Sequence, residues 1–139
     1  MSFSIESVAN AQAFRISPED TNYFAVLFDP QKDQTSNVFV IEIFTPNGAT
    51  PVNIHQHATE FFYILAGEGV AQSDKIEKNL RQGDALLLYP GTAHAIRNTG
   101  RSKLYCLTIM TPNEGFSELI RKGTKVTLDE EDLNILTGG

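Results

Sequence analysis

Short apolar segments separated by polar turns run through most of the chain. They are rich in β-branched, aromatic and leucine side chains, and glycine, proline, asparagine or aspartate bounds each of them. This combination is typical of strands joined by tight turns. The pattern predicts strands at residues 24–29, 37–45, 60–67, 84–90 and 103–111. Many short strands with frequent turns favour an all-β fold, either a β-sandwich or a small antiparallel β-barrel.

Two further segments carry weaker signals. Residues 70–80, VAQSDKIEKNL, show no apolar stripe of helical period, so we interpret them as a hairpin that turns at Ser73 and Asp74. Further along, Asp129 precedes EEDLNIL, and acidic residues in a first turn suit the positive end of a helix dipole. We therefore predict a short C-terminal helix capped by Asp129. A second helical turn is expected at three apolar positions, Phe116, Leu119 and Ile120.

Composition and charge limit the classes of protein. The chain has 139 residues, of which 41% are hydrophobic and 20% charged, as expected for one globular domain. A formal net charge of −6 without a basic stripe argues against nucleic acid as a partner. No apolar run is long enough to cross a bilayer, so no membrane partner is expected. The first residues lack the pattern of a secretion signal, which favours the cytoplasm.

The histidines point to a metal site. Two of the three lie near Glu60 in the stretch NIHQHATEFFYILAGEG. In an extended strand alternate side chains share a face, so Asn53, His55 and His57 would point the same way. Glu60 begins the next predicted strand, and a hairpin would set its carboxylate opposite the imidazoles. His94, the third histidine, follows a Pro-Gly turn and opens another strand. Imidazole and carboxylate donors together suit Mn, Fe, Ni, Cu or Zn.

Both histidine segments resemble the motifs of the cupin superfamily, G-x5-H-x-H-x3,4-E-x6-G and G-x5-P-x-G-x2-H-x3-N. Glu60 and Gly67 match the second half of the first motif. Six residues fall in place in the second: Gly83, Asp84, Pro90, Gly91, His94 and Asn98. The resemblance implies a single domain over 1–139 with the cupin jelly roll, a small antiparallel β-barrel. Its parts are a barrel core at about 38–111, an N-terminal arm over 1–37 and a C-terminal helical tail over 112–139.

The first motif can be aligned in two registers. With a four-residue gap before Glu60, His55 takes the second histidine position and Asn53 the first, as in the germin-like form of the motif. In the other register His55 and His57 form the pair. The resemblance implies that His55, Glu60 and His94 hold one divalent transition metal. Asn53 is then a weaker fourth ligand, or His57 an alternative one.

The resemblance leaves several activities open, because cupins include dioxygenases, oxalate-acting enzymes, isomerases, epimerases and binding proteins. The stretch TPNEGFSELIRKG resembles the tail of small quercetin-dioxygenase-like cupins. This favours a metal-dependent dioxygenase acting on a small oxygen-rich or aromatic molecule. In this hypothesis Glu60 holds the metal or, alternatively, leaves it and acts as a catalytic base towards a bound hydroxyl. Phe62, Ile64 and Ile96 would line the barrel and the substrate pocket.

Two other functions stay open. A non-catalytic module would bind a small molecule, for example a sugar, and Asn53 in place of a ligand histidine supports it. An isomerase or epimerase acting on a sugar phosphate would need cationic residues, and Arg97 is the one basic residue near the motif ligands. The resemblance also implies a homodimer, in which residues 24–29 or those before them pair with the partner's sheet.

Overall fold

The computed structural model describes residues 2–51 and 54–138, and within them it forms ten strands, two α-helices and one short 3₁₀ helix, Val8–Asn10. The strands are β1 (Ala13–Arg15), β2 (Asn22–Phe28), β3 (Val38–Phe44), β4 (Thr59–Ala66), β5 (Glu68–Ser73), β6 (Ile76–Arg81), β7 (Ala85–Leu88), β8 (His94–Asn98), β9 (Leu104–Thr111) and β10 (Thr124–Val126). The helices are α1 (Phe116–Arg121) and α2 (Glu130–Thr137). No helix within this part of the chain is long and apolar enough to cross a membrane.

The strands form two sheets in which every neighbouring pair is antiparallel. The larger sheet has the order β10-β1-β2-β3-β9-β4-β7, and the smaller has the order β6-β5-β8. A bridge between Ala49 and Arg97 connects the stretch after β3 to β8. Between the sheets lies an apolar core to which both contribute, including Phe62 of β4, Ala71 of β5 and Ile96 of β8. The predicted all-β, antiparallel jelly roll is confirmed, with two facing sheets in place of one continuous closed barrel.

Strand β3 shows how the alternation of side chains builds this interior. Val40 and Phe44 face the core between the sheets, whereas Ile41 and Ile43 pack with a second apolar layer on the other face. Because Glu42 lies between Val40 and Phe44 in this alternation, it shares their inward face. A carboxylate thus stands among apolar residues inside the molecule, only 2% exposed.

All five strands predicted from the apolar segments are present, as β2, β3, β4, β7 and β9. The predicted hairpin is formed by β5 and β6, and Asp74 at its turn has the positive φ of 52° that a tight turn requires. The strand predicted to open at His94 is β8. In α2 Asp129 is the N-cap, since its carboxylate accepts a hydrogen bond from the Asp132 backbone amide.

The C-terminal tail is fastened to the larger sheet by buried polar groups. Asp132 of α2 accepts hydrogen bonds from the hydroxyls of Tyr23 and Tyr105, each at 2.8 Å, and from Lys103 Nζ at 3.0 Å. Helix α1 is held separately, because Arg121 forms an ion pair with the buried Asp29 at 2.7 Å. Both helices therefore have fixed positions against the sheet.

Two local features differ from the predictions. Residues 54–58 form a bend and belong to no strand, so the shared strand face predicted for the motif histidines is wrong. Strands β1 and β10 were not predicted, since each has three residues and they pair with each other across more than a hundred positions. The segment predicted as an N-terminal arm, 1–37, contains β1 and β2, which pair within this chain's own sheet.

Candidate metal centre and cavity

Three side chains from separate parts of the sequence meet at one end of the core. Glu60 Oε1 lies 3.4 Å from His55 Nε2 and 3.2 Å from His94 Nε2. One donor atom from each residue lies within 4.8 Å of those of the other two. Glu60 and His94 are buried, and His55 is partly buried. The predicted ligand set His55, Glu60 and His94 is therefore assembled in space.

Strand pairing places the two buried members of this cluster. Glu60 is the second residue of β4 and lies between Leu88 of β7 and Met110 of β9. Its side chain shares the inward face with Phe62, two residues further along the strand. His94 is the first residue of β8 and reaches the same space from the smaller sheet. The cluster therefore lies where the two sheets meet.

The two imidazoles are oriented by neighbouring groups. His94 Nδ1 lies 3.1 Å from the Thr92 carbonyl oxygen, so in the neutral imidazole a proton on Nδ1 is donated to that carbonyl and the lone pair is on Nε2. His55 has a backbone link to the second motif, because its carbonyl accepts a hydrogen bond of 2.7 Å from the Gly91 amide. His55 Nδ1 also lies 3.9 Å from Glu114 Oε2. These contacts direct both Nε2 atoms towards Glu60.

Glu114 fixes the bend that carries His55. Its carboxylate accepts hydrogen bonds from the backbone amides of Gln56 at 3.1 Å and His57 at 2.7 Å. The partner of these two amides is therefore a side chain that follows β9. In a sheet, the backbone of a neighbouring strand would have accepted their hydrogen bonds instead. As a result residues 54–58 bend, and the exposed His57 side chain lies outside the cluster.

Electrostatics couple the three groups. Burial alone would raise the pKa of Glu60, but the adjacent imidazoles of His55 and His94 outweigh burial and lower it. For His94 burial alone would lower the pKa, but the Glu60 carboxylate beside it raises the pKa above the ordinary value. The negative charge of Glu60 and a positive charge on the imidazoles therefore stabilise each other.

The cluster has the properties expected of a metal site. His55 Nε2 and Glu60 Oε1 are buried and make no well-aligned hydrogen bond, although they face one another. A buried polar atom without a partner is costly, and a cation between the groups would satisfy both. Two imidazole nitrogens and one carboxylate oxygen suit a divalent transition metal, with positions left for a substrate. The residues present therefore fit such an ion.

The remaining predicted site residues have different positions. Phe62 and Ile96 line the cavity beside the cluster. Ile64 does not, because it is completely buried in the core with Leu80 and Leu104. Asn53, the predicted weaker ligand, lies outside the described residues.

The cavity next to the cluster has a volume of about 290 Å³. Its apolar wall is formed by Ile16, Phe24, Pro51, Phe62, Ile96, Phe116 and Leu119. Its polar lining, besides the three cluster residues, consists of Ser17, Asp20, Asn22, Glu42 and Thr50. Helix α1 contributes to the wall through Phe116, whose ring meets Phe24 edge-on at 5.4 Å. This combination of an apolar wall and a few polar groups is typical of small-molecule sites.

Glu42 and Asn22 were not identified from the sequence. Asn22 Nδ2 donates a hydrogen bond of 2.9 Å to Glu42 Oε2, and both residues are buried. Burial and the nearby charge of Glu60 raise the pKa of Glu42 to about 8, so its neutral form predominates at pH 7. A charged residue in the alternating strand VFVIEIF was the available signal, because it interrupts the inward apolar positions.

Among proteins of known sequence, an oxalate-binding protein from Thermotoga maritima is 36% identical over 67 residues, which cover 47% of this chain and 54% of that protein. An uncharacterized protein from Methanocaldococcus jannaschii is 33% identical over 73 residues, covering 51% of this chain and 58% of that protein. The chain thus spans somewhat over half the length of these curated relatives.

The fold also matches a solved structure described as a predicted oxalate decarboxylase from Thermotoga maritima. The TM-score is 0.69 at 23% identity, with 77% of this chain and 97% of the other covered. At this identity the likeness supports the fold alone. The family model for the cupin domain matches residues 40–110, about half of the chain, and spans both Glu60 and His94. With its jelly roll and its two motif segments brought together, this chain belongs to the cupin domain family.

Proposed function

We propose that this protein is a metal-dependent enzyme of the dioxygenase type that acts on a small oxygen-rich or aromatic molecule. One divalent transition metal, Mn, Fe, Ni, Cu or Zn, is held by His55, Glu60 and His94. The observation that carries the proposal is the convergence of these three side chains beside a largely apolar cavity. One relative is named for binding oxalate, an oxygen-rich molecule.

The chain's own residues would divide the work as follows. His94, oriented by the Thr92 carbonyl, and His55, oriented by the bend at Glu114, hold the ion through Nε2. Glu60 is ionised at neutral pH because its pKa is lowered, so it can bind the ion or take a proton from a substrate hydroxyl at its carboxylate. The apolar wall positions the substrate and limits the access of water. When bound, the ion would supply Lewis acidity and, for a redox-active metal such as Mn, Fe or Cu, a route for electrons.

Metal content tests this proposal directly. We expect untagged protein, purified without chelator, to contain about one equivalent of Mn, Fe, Ni, Cu or Zn by elemental mass spectrometry. His94→Ala removes a buried ligand and should reduce the content to a trace. His57→Ala is the matched control, since that imidazole is exposed and outside the cluster, and it should keep the wild-type content.

Two results of the metal measurement would contradict the proposal. Traces of metal in the wild type, even after incubation with each ion, would contradict the metal site and the oxygenase. Retention of the ion by His94→Ala would place the metal elsewhere.

A second candidate is a binding module that catalyses nothing, which the name of the oxalate-binding relative favours. Dioxygen uptake by the metal-loaded protein separates the two functions, measured with flavonols, catechols and diketones. Substrate-dependent uptake that is lost in His94→Ala supports the enzyme. Saturable binding without uptake, unchanged by chelator, supports the module.

We also propose that the protein acts as a homodimer in the cytoplasm. An exposed apolar surface on the outer face of β4 and β7 supports the dimer: the side chains of Phe61, Tyr63 and Leu87 are 43%, 46% and 39% exposed. Strand β7 is also the edge of its sheet, and exposed edges favour association with another chain.

A further inference from the structure

A buried polar pair in the cavity wall has no part in the proposed metal cluster. Glu42 is 2% exposed and Asn22 is 4% exposed, and their side chains are joined by the 2.9 Å hydrogen bond from Asn22 Nδ2 to Glu42 Oε2. Both residues line the same cavity as Glu60. Apolar side chains would fill this position at a lower cost in folding stability, because burying polar groups removes them from water. A function of the pair at the surface of the cavity would explain this cost.

The charges around the cavity restrict what it can bind. Among the described residues that line it, three are acidic, Asp20, Glu42 and Glu60, and none is lysine or arginine. The carboxylates of Glu60 and Asp20 would already balance one divalent ion. Sites for carboxylates or phosphates usually supply arginine or lysine, whose N–H groups pair with the anion. Apart from the proposed metal ion, a negatively charged ligand would find no lysine or arginine partner among the described residues that line this cavity.

The rest of the wall favours a flat, apolar molecule. Phe24, Phe62 and Phe116 contribute aromatic rings, and the ring of Phe116 also lies 6.3 Å from that of His55. Such surfaces bind the faces and edges of a ring, and a few polar groups then fix its orientation. The volume of about 290 Å³ is small for a ligand site, so a molecule with one substituted ring fits it better than a larger one.

We propose that Glu42 and Asn22 form a second polar subsite, which binds a hydroxyl or carbonyl oxygen of an uncharged ligand and makes the cavity select such molecules over carboxylates. This inference rests on the proposed function, because it takes this cavity to be the ligand site. Asn22 offers an amide donor and acceptor, and the Glu42 carboxyl offers an acceptor and, when protonated, a donor. The subsite can therefore pair with either kind of ligand oxygen.

Benzamide and benzoate test the subsite, because they have the same shape and differ in charge. Binding to the full chain is measured at pH 7 by ligand-observed NMR titration, on zinc-loaded and on metal-free protein. In both forms we expect wild-type protein to bind benzamide at least about tenfold more tightly than benzoate, a difference of roughly one net hydrogen bond or more. Glu42→Leu should weaken benzamide binding by about tenfold for the same reason.

Controls keep the result interpretable. Glu42→Gln preserves the shape and one donor and acceptor, so it should keep benzamide affinity within about threefold. Glu77→Gln, an exposed position on β6, should leave both affinities unchanged. Circular dichroism and the melting temperature of each variant establish folding, and Glu42→Gln with Asn22→Ala provide the test if Glu42→Leu does not fold. Asn22→Ala should weaken benzamide in the same direction as Glu42→Leu.

Three results would overturn the subsite: equal or tighter binding of benzoate, no binding of benzamide, or unchanged benzamide affinity in folded Glu42→Leu or Asn22→Ala. The metal measurement with His94→Ala is independent of these titrations. Normal metal content without benzamide preference refutes the subsite alone. A benzamide preference in protein that takes up no metal supports the subsite and refutes the metal enzyme.

Discussion

Glu42 and Glu60 are two carboxyl groups in one cavity whose surroundings shift their pKa values in opposite directions. Glu60 faces two imidazoles, which favour its charged form and lower its pKa. Glu42 is buried and lies near the Glu60 charge, and both effects raise its pKa despite the hydrogen bond from Asn22. Environments that separate two carboxyl groups in this way are typical of functional sites. The pair can supply one charged and one neutral carboxyl group at the same pH.

The raised pKa of Glu42 predicts a pH-dependent gain in stability for Glu42→Gln. Above its ordinary pKa of 4.5 this carboxyl is ionised in the unfolded chain, whereas in the native protein it stays protonated up to about pH 8. The native state thus binds the extra proton, and wild-type stability falls as the pH rises from 4.5 to 8. Glutamine does not titrate, so the variant does not lose stability in this way. We expect wild type and Glu42→Gln to have equal free energies of unfolding near pH 4. At pH 7 the variant should be more stable by about 3 kcal/mol, because each pH unit above 4.5 contributes about 1.36 kcal/mol.

Urea denaturation of the metal-free proteins across this pH range measures the difference. Glu77→Gln serves as the control, because an exposed carboxyl should show a flat difference. If the difference in free energy of unfolding between wild type and Glu42→Gln does not change with pH, Glu42 is ionised in the native protein.

At the scale of elements, the site depends on contacts between the C-terminal tail and the bend at 54–58. Glu114, directly before α1, accepts the backbone amides of Gln56 and His57. Phe116 of α1 lies against the His55 ring. The helix is in turn held by the ion pair between Arg121 and Asp29. One metal ligand is therefore positioned by residues that follow the last strand of the core.

We predict that Glu114→Ala lowers metal affinity by about tenfold without removing a ligand, because groups that orient ligands contribute 10- to 100-fold to affinity. Without the carboxylate the amides of Gln56 and His57 lose their acceptor and the bend carrying His55 is no longer fixed. Zinc affinity is measured by competition with a chelator. Glu114→Gln keeps one acceptor oxygen and should fall between the two proteins.

Glu130→Ala is the matched control, since this exposed carboxylate in α2 makes no contact with the site, and its affinity should equal that of the wild type. Wild-type affinity in Glu114→Ala would show that the bend holds His55 in place by itself.

At the scale of the whole molecule, part of the outer face of the larger sheet is apolar. Phe61, Tyr63 and Leu87 are exposed there, with Leu107 and Ile109 of β9 beside them. Their neighbours Phe62 and Leu88 face the core, as the alternation of a strand requires. A contiguous apolar patch of this kind is typical of a protein–protein interface.

The proposed homodimer predicts that a charge in this patch gives monomers. We expect wild-type protein to sediment as a dimer and Phe61→Lys as a monomer, because a lysine at the centre of an interface leaves an unpaired charge buried. Sedimentation velocity over a range of concentrations measures the change. Ile76→Lys, at an exposed apolar residue of the smaller sheet, should remain dimeric. A wild-type monomer would refute the dimer, and a dimeric Phe61→Lys would move the interface to another surface.

Local sequence patterns were sufficient to predict most of the strands, the hairpin and the C-terminal helix. The strand that begins at Glu60, the hairpin turning at Asp74 and the helix capped by Asp129 depend on neighbouring residues alone, so alternation, turn chemistry and capping identify them. The resemblance to the cupin motifs indicated His55, Glu60 and His94 as candidate ligands. The alternation, turn and capping signals are short in range and need no knowledge of the packing.

Only the tertiary structure decided which residues share the cavity. Glu42 and Ile64 both face inward, yet the first lines the cavity and the second lies in the core, a difference set by how the two sheets meet. The bend that excludes the His57 side chain depends on Glu114, more than fifty residues away. The sequence by itself was enough to predict most of the strands and, through the motif resemblance, the three candidate ligands. Long-range packing determined the cavity's shape and charge, because those depend on contacts between residues that local patterns do not relate.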